Sequence, residues 1–334
     1  MMFASLVEVA DFALNAPCFD EAAADAARAR QNSLTKPPGS LGRLEEIAIF
    51  MAGWRATPRP AIKRAQALVF AGNHGVCVHG VSPYPSEVTA QMVANFEHGG
   101  AAINQLCRAS GADLSVIALD LDRPTGDVTQ GPAMSEAETL DALRRGAEAV
   151  DPEADVLVLG EMGIGNSTIA AALACALFGG APEDWVGPGT GANSAGMSRK
   201  AQVIAQGLEL HSAARGMVLM AALGGREQAA ICGAVLAARA ARIPVILDGF
   251  ICTAAAAVLH GVAPELLDHC LVGHASAEPG HRRLLAALNK RAVLEFDMRL
   301  GEGSGAALAL GIVRAALECH NGMATFGEAG VSEA

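Results

Sequence analysis

Aromatic side chains are scarce in this chain, with ten Phe, two Trp and one Tyr among 334 residues. A core built mainly from Ala, Gly and the smaller aliphatics follows, and it suits helices that lie close on a buried sheet. Basic residues are also few. Against 35 Asp and Glu stand 24 Lys and Arg, a formal net charge of −11 at pH 7. That balance excludes generic binding to nucleic acid or an anionic membrane, which needs basic patches. A single small anion is not excluded, because backbone N–H groups can hold a phosphate without a basic surface. No Cys-x-x-Cys pair occurs among the eight cysteines, which sit mostly in apolar runs and read as buried free thiols of a reducing cytosol. The longest apolar run, Gly249 to Leu259, is too short to span a bilayer. The first residues include Glu8 and Asp11 and show no basic leader region, so a cytoplasmic location is expected.

Two phosphate-binding motifs are missing as well. No Gly-x-Gly-x-x-Gly follows a strand-like run, and no Gly-x-x-x-x-Gly-Lys-Ser/Thr occurs. The run Ile117 to Gly126 lacks the adjacent acidic pair of a phosphoribosyl-pyrophosphate loop and reads as a strand entering a surface turn. His74 and His79 bracket Cys77, but that spacing on a loop has no supporting ligand cluster. No metal and no cofactor are expected. Trp54 and Trp185 read as packing residues.

What is present is alternation. Residues 1–31 read as helix, and a Lys36-Pro37-Pro38-Gly39-Ser40 breaker leads to a helix from Leu41 to Trp54. Short apolar runs then predict strands at Ala65–Ala71, Leu114–Leu119, Asp155–Leu159, Met217–Leu223, Ile243–Leu247 and Leu266–Val272. Helices are expected at Ser86–Arg108, Ser135–Val150, Thr168–Leu177, Ser198–Leu210, Gln228–Ala240, Thr253–His260, Ala287–Glu295 and Gly305–Cys319. The alternation predicts an α/β fold: a parallel, Rossmann-like sheet flanked by helices, with a small all-helical domain formed from both chain ends. The expected division is 1–58 and 286–334 for the helical ends and 59–285 for the α/β domain.

Chemistry should lie in the loops at the carboxyl ends of the strands. Four of these are polar or glycine-rich: Gly72 to Pro85, Gly160 to Thr168, Gly187 to Gly191 with Lys200 beyond it as a mobile charge, and Gly273 to Glu278. Each alone reads as an ordinary turn, but together they point to a nucleotide-like ligand. Near the end, Gly301-Glu302-Gly303-Ser304-Gly305 sets one carboxylate among three glycines before a helical run. Facing an apolar cavity, Glu302 is a candidate general base; the plainer reading is a helix cap.

Three runs carry a resemblance: Asn32 to Glu45 (around Lys36-Pro37-Pro38-Gly39-Ser40-Leu41-Gly42-Arg43), Gly160-Glu161-Met162-Gly163-Ile164-Gly165-Asn166-Ser167-Thr168, and Arg299 to Gly305. In this order they resemble the nicotinate-nucleotide–dimethylbenzimidazole phosphoribosyltransferase family, whose members move a 5-phosphoribosyl group from nicotinate mononucleotide to 5,6-dimethylbenzimidazole for the lower ligand of cobalamin. The resemblance implies Glu302 as proton acceptor. It puts Glu161, Gly163, Gly189, Thr190, Gly191, Lys200, Ser276 and Gly301 around the mononucleotide, and Ser82, Tyr84 and Gln91 on the benzimidazole side. It also implies a homodimer. Two positions depart from the family's usual pattern: Asn73 stands where Asp is common, and Tyr84 where some members have Ser. Competing readings are a phosphoribosyltransferase for another base such as adenine, and a non-catalytic mononucleotide-binding regulatory protein; an intact Glu302 turn speaks against the second.

Overall fold

The computed structural model describes residues 3–189 and 191–332. Its centre is a six-stranded sheet: β1 (Ala65–Ala71), β2 (Ala112–Ala118), β3 (Val156–Met162), β4 (Val245–Leu247), β5 (Cys270–His274) and β6 (Ala292–Leu294). The order is β2-β1-β3-β4-β5-β6 and every neighbouring pair is parallel. All strand carboxyl ends therefore meet at one edge, and the order reverses between β1 and β3. A crevice at such a reversal is where doubly wound sheets hold ligands.

Alternation along β1 and β3 feeds two cores. Leu68, Phe70, Leu157 and Leu159 point into one layer, with the helices Glu136–Glu148, Asn166–Phe178, Arg226–Ala240 and Phe250–His260. Ala67, Val69, Ala71, Val156 and Val158 point into the other, beneath Arg43–Arg55, Ala102–Ser110 and Ser304–Gly322. The small side chains on this second face let the last of these helices lie close. A Cβ on Gly160 would stand 2.5 Å from the amide nitrogen of Gly303, and one on Gly273 would stand 2.7 Å from Cα of Ala306.

The chain ends are stitched together. Leu34 pairs with Thr325, Arg30 donates to the carbonyls of His320, Asn321 and Met323, and Gln31 bonds His320. Lys36 meets Glu45 at 2.7 Å, both buried, so this part of the Pro-Pro-Gly run joins the helices Glu21–Ser33 and Arg43–Arg55. Two pieces of the chain ends belong elsewhere. The helix Glu8–Asn15 packs on the first layer through Val9 and Phe12, and β6 extends the sheet past residue 285.

Several expectations are corrected. Met217–Leu223 is a helix, not a strand: a short, wholly apolar run has no period to separate the two, and Met, Leu and Ala favour helix. The expected helix Ala287–Glu295 is instead the end of a helix Pro279–Ala287, a turn at Asn289 with φ 49°, and edge strand β6. In place of one helix over 1–31 stand two, Glu8–Asn15 and Glu21–Ser33, separated by a break at Ala16 and Pro17 and restarted where the Asp20 side chain caps Ala23. Ser86–Arg108 is also two helices, Glu87–Glu97 and Ala102–Ser110, parted at Gly99 and Gly100. The last expected strand, Leu266–Val272, starts later: Pro264–Leu267 is a 3₁₀ turn and β5 runs from Cys270.

Glycines also set the tightest helix crossing. A Cβ on Gly146 would lie 1.9 Å from the carbonyl oxygen of Ala230, and one on Gly233 would lie 1.9 Å from that of Leu143. The helices Glu136–Glu148 and Arg226–Ala240 thus meet backbone to backbone. Gly233→Ala is expected to cost about 1–3 kcal/mol by forcing them apart. Equilibrium unfolding in denaturant reads this directly, and an unchanged midpoint would contradict the crossing.

Candidate active site

A cavity of about 820 Å³ opens at the carboxyl edge of the sheet. Its lining includes apolar side chains, Val81, Val88, Met92, Met162 and Ile164, and polar ones, Asn166, Ser167, Ser276 and Arg299. Four carboxylates line it: Glu161, Asp248, Glu278 and Glu302.

The turn carrying Glu302 is the most constrained backbone in the site. Gly301, Glu302 and Gly303 have φ of 85°, 61° and 81°, three left-handed residues in succession. Glycine adopts this freely, but glutamate does so at a cost of order 1 kcal/mol or more. Asp248, directly after β4, holds the turn: its Oδ2 accepts from the Gly303 amide at 3.1 Å and its Oδ1 from Ala306 at 2.9 Å. Burial pushes the Asp248 pKa up, while the backbone dipoles and amides at the start of the helix Ser304–Gly322 favour its charged form. So Asp248, not Glu302, caps this helix, and the Glu302 carboxylate is left to the cavity.

Glu161 lies within β3, beside Phe70 of β1, so a rigid strand positions it rather than the loop expected from sequence. Its Oε2 accepts from the Asn166 side chain. Burial, then the neighbouring charges of Asp248 and Glu227, push its pKa up to about 8. Burial and Asp248 push Glu302 up to about 7. Like charges brought together out of water account for both shifts.

The helix Asn166–Phe178 starts at the cavity from Gly165, at φ 93°, with no side-chain cap. Beside it, Lys200 is buried rather than mobile; its ammonium donates to Ser167 Oγ and the Gly187 carbonyl, both at 3.1 Å. Burial lowers its pKa. The Gly189 amide donates to Glu278 at 2.9 Å, and Arg299 donates to the Gly189 carbonyl at the same distance.

Of the residues singled out from sequence, Glu161, Gly163, Gly189, Ser276, Gly301, Glu302, Ser82 and Tyr84 line the cavity. Lys200 stands behind Gly189, whose Cβ would come 3.0 Å from the ammonium. Gly191 and Gln91 do not line the cavity; Gln91 is exposed on a helix that turns Val88 and Met92 inward instead. Thr190 falls outside the described residues. Asp248 was missed, though an aspartate followed by Gly249 at the end of the apolar run Ile243–Leu247 was its signal. His274, Glu278 and Arg299 sat in quoted runs without being singled out. His74, Cys77 and His79 do not converge: His74 bonds buried Glu227 and His79 bonds Asp127, both at 2.9 Å, while Cys77 contacts the Ile164 carbonyl. Among the described residues no three His, Cys, Asp or Glu side chains are arranged to hold a metal ion.

A family model described as a phosphoribosyltransferase matches residues 16–331. A nicotinate-nucleotide–dimethylbenzimidazole phosphoribosyltransferase of Rhodobacter capsulatus is 67% identical over 328 residues, 98% of each chain. The chain belongs to this phosphoribosyltransferase family. Another relative of that name, from Ruegeria pomeroyi, is 59% identical over 98% of each chain. The crystal structure of CobT from Thermus thermophilus matches with a TM-score of 0.89 at 43% identity, over 94% of this chain and all of that one. The family assignment thus spans the whole cavity, from the Gly72 loop to the Glu302 turn.

The raised carboxylates have a cost with a definite sign. Glu161 and Glu302 keep their protons in the folded protein to higher pH than in the unfolded chain. Their contribution to stability is therefore full below about 4.5 and is lost as pH rises towards about 7 for Glu302 and 8 for Glu161. Glu161→Gln should flatten this decline, gaining on the wild type by up to about 1.4 kcal/mol per pH unit inside the window. Denaturant unfolding at a series of pH values checks it, and parallel curves for the two proteins would refute the assignment.

Proposed function

We propose that this protein transfers the 5-phosphoribosyl group of nicotinate mononucleotide to 5,6-dimethylbenzimidazole, giving α-ribazole 5′-phosphate and nicotinate. The relatives' names support the substrates, and one observation supports the mechanism: the Glu302 carboxylate, held in a left-handed turn, faces the cavity with a pKa near 7.

The chemistry asks little else of the protein. Nicotinate leaves as a neutral pyridine from a positively charged ring nitrogen, so no acid has to protonate it. The attacking azole bonds to C1′ through one nitrogen and loses the N–H of the other. A single carboxylate within reach of that N–H serves, and a pKa near the working pH suits a general base. The apolar side chains Val81, Val88, Met92 and Ile164 match a flat methylated ring, and Asn166 and Ser167 match a nucleotide. Rings held on opposite faces of the ribose give inversion, from β-nucleotide to α-product. Glu161, its pKa pushed up to about 8, is a donor for the mononucleotide near neutrality.

The phosphate is assigned to the uncapped start of the helix Asn166–Phe178, with Lys200 and Arg299 as the flanking cations. Glu278 already occupies the Gly189 amide, so backbone groups of that loop are not all available. A homodimer is the proposed assembly, with the packed helices of the two chain ends as its small domain; the exposed Phe296 and Leu300 support an interface near the cavity.

Incubating the protein with nicotinate mononucleotide and a panel of azoles, adenine among them, and identifying products by mass tests the reading. Recovery of untouched substrates would leave only a binding role. Glu302→Gln should bind the mononucleotide normally yet lose about 10²–10⁴-fold in turnover, the range of general-base catalysis. In the active wild type, the acid limb of kcat should fall near the Glu302 value of about 7. Lys200→Ala should weaken mononucleotide binding by about 1.5–3 kcal/mol, as for a hydrogen bond to a charged group, and leave azole binding alone. Isothermal titration with each substrate decides, and equal losses for both would remove Lys200 from the phosphate site.

A further inference from the structure

His274 ends β5 and lies in the cavity wall with only 1% of its surface exposed. Neither ring nitrogen has a hydrogen-bond partner, which in a buried imidazole calls for a reason. The ring is wedged between two segments of backbone. A Cβ on Gly305 would lie 1.9 Å from its Cδ2, and one on Gly249 would lie 2.7 Å from its Nε2. The imidazole therefore occupies the gap between the residue after Asp248 and the first turn of the helix Ser304–Gly322. Its Nε2 is 3.6 Å from Asp248 Oδ1, the oxygen that accepts from Ala306.

We propose that His274 is a positioning residue for the transfer: from its slot between Gly249 and Gly305 it keeps Asp248 in place as the acceptor that shapes the Glu302 turn. The proposal rests on the transfer reading above. Asp248 is pressed from several elements. Glu161 on β3 and Glu302 in the turn oppose its charge, and the Cys252 thiol lies near it on the helix Phe250–His260. Burial is the largest influence on Asp248 and pushes its pKa up; against burial, the imidazole of His274 and the amides of Ala306, Gly303 and Gly305 pull it down. Among the described residues, His274 is the one basic side chain within 4.0 Å of the Asp248 carboxylate. His281, 6.4 Å from His274 between ring centroids, supplies no charge: its Nδ1 accepts from the Ser276 amide, and burial followed by His274 holds its pKa down to about 3. Without His274, Asp248 should take up a proton at higher pH. One of its oxygens then becomes a donor and no longer accepts an amide, and the left-handed turn loses an anchor.

Turnover by the whole purified protein across pH tests this, using His274→Ala and His274→Gln. The expected result is a fall in kcat of about 10²-fold, the effect of a misplaced reacting group, with KM for both substrates unchanged. The acid limb of kcat should move from its wild-type position, because Glu302 loses part of the Asp248 charge that holds its pKa up, and added imidazole should restore part of the turnover of His274→Ala. Should His274→Ala fail to fold, His274→Gln, which fills the slot without the imidazole, decides by the same kcat and acid-limb criteria. Wild-type kcat in a folded variant, a loss confined to KM, or a lower kcat with the acid limb unmoved each overturns the positioning role. A wild-type protein that transfers nothing brings down the transfer reading and this proposal together, whereas an active wild type matched by its variants brings down the proposal alone.

Discussion

One buried carboxylate decides the geometry of this site. Asp248 is fixed at the end of a short, fully buried strand and takes the amides of Gly303 and Ala306. Removing an ionised carboxylate from water is expensive, and backbone amides at a helix start are among the few partners that offset it. That arrangement fixes where the helix Ser304–Gly322 must begin and forces the three preceding residues into left-handed backbone. Gly160 and Gly273 follow from it, because a side chain at either would push the turn off the sheet.

The same proximity raises the two neighbouring carboxylates. Glu161 and Glu302 each feel Asp248, and burial denies them the water that would stabilise their charges. The site thus sets local stability against a carboxylate tuned near neutrality, a common exchange at functional sites. Neighbouring features follow a similar logic. His74 and Glu227 form a fully buried pair just behind Gly72 and Gly225, where added side chains would collide with them. Glycine in these loops makes room for polar groups as much as it bends the chain.

Much of this could be read from the residues alone, and the exceptions have physical reasons. Glu302 was legible because a lone carboxylate among three glycines is unusual before a helix. The sheet was legible where strands were long, as in Ala65–Ala71, and illegible in three-residue β6, too short to show a period. Met217–Leu223 deceived for the opposite reason: it is apolar nearly all round, since it is buried nearly all round. Asp248 and His274 act through neighbours far away in sequence, so the one local sign, an Asp-Gly pair ending an apolar run, says little by itself; only the meeting of β4, β5 and the last long helix gives them meaning. Lys200 showed its charge in the sequence but not its burial. Gln91 shares a helix with Val88 and Met92, and a difference of one position in helical phase separates the wall from the solvent.

The stitching of Gln31 and Leu34 to His320 and Thr325 bears on how the protein is made. The helix Ser304–Gly322 spans roughly 28 Å, at 1.5 Å per residue, and is pinned at its start by Asp248 and at its far end by the first forty residues. A strut clamped at both ends comes under control only when both clamps exist. During synthesis the first clamp emerges early and waits for almost the whole chain, while β1 to β5 collapse around it. A chain cut short before residue 300 would therefore hold the strands of its sheet but lack the Glu302 turn.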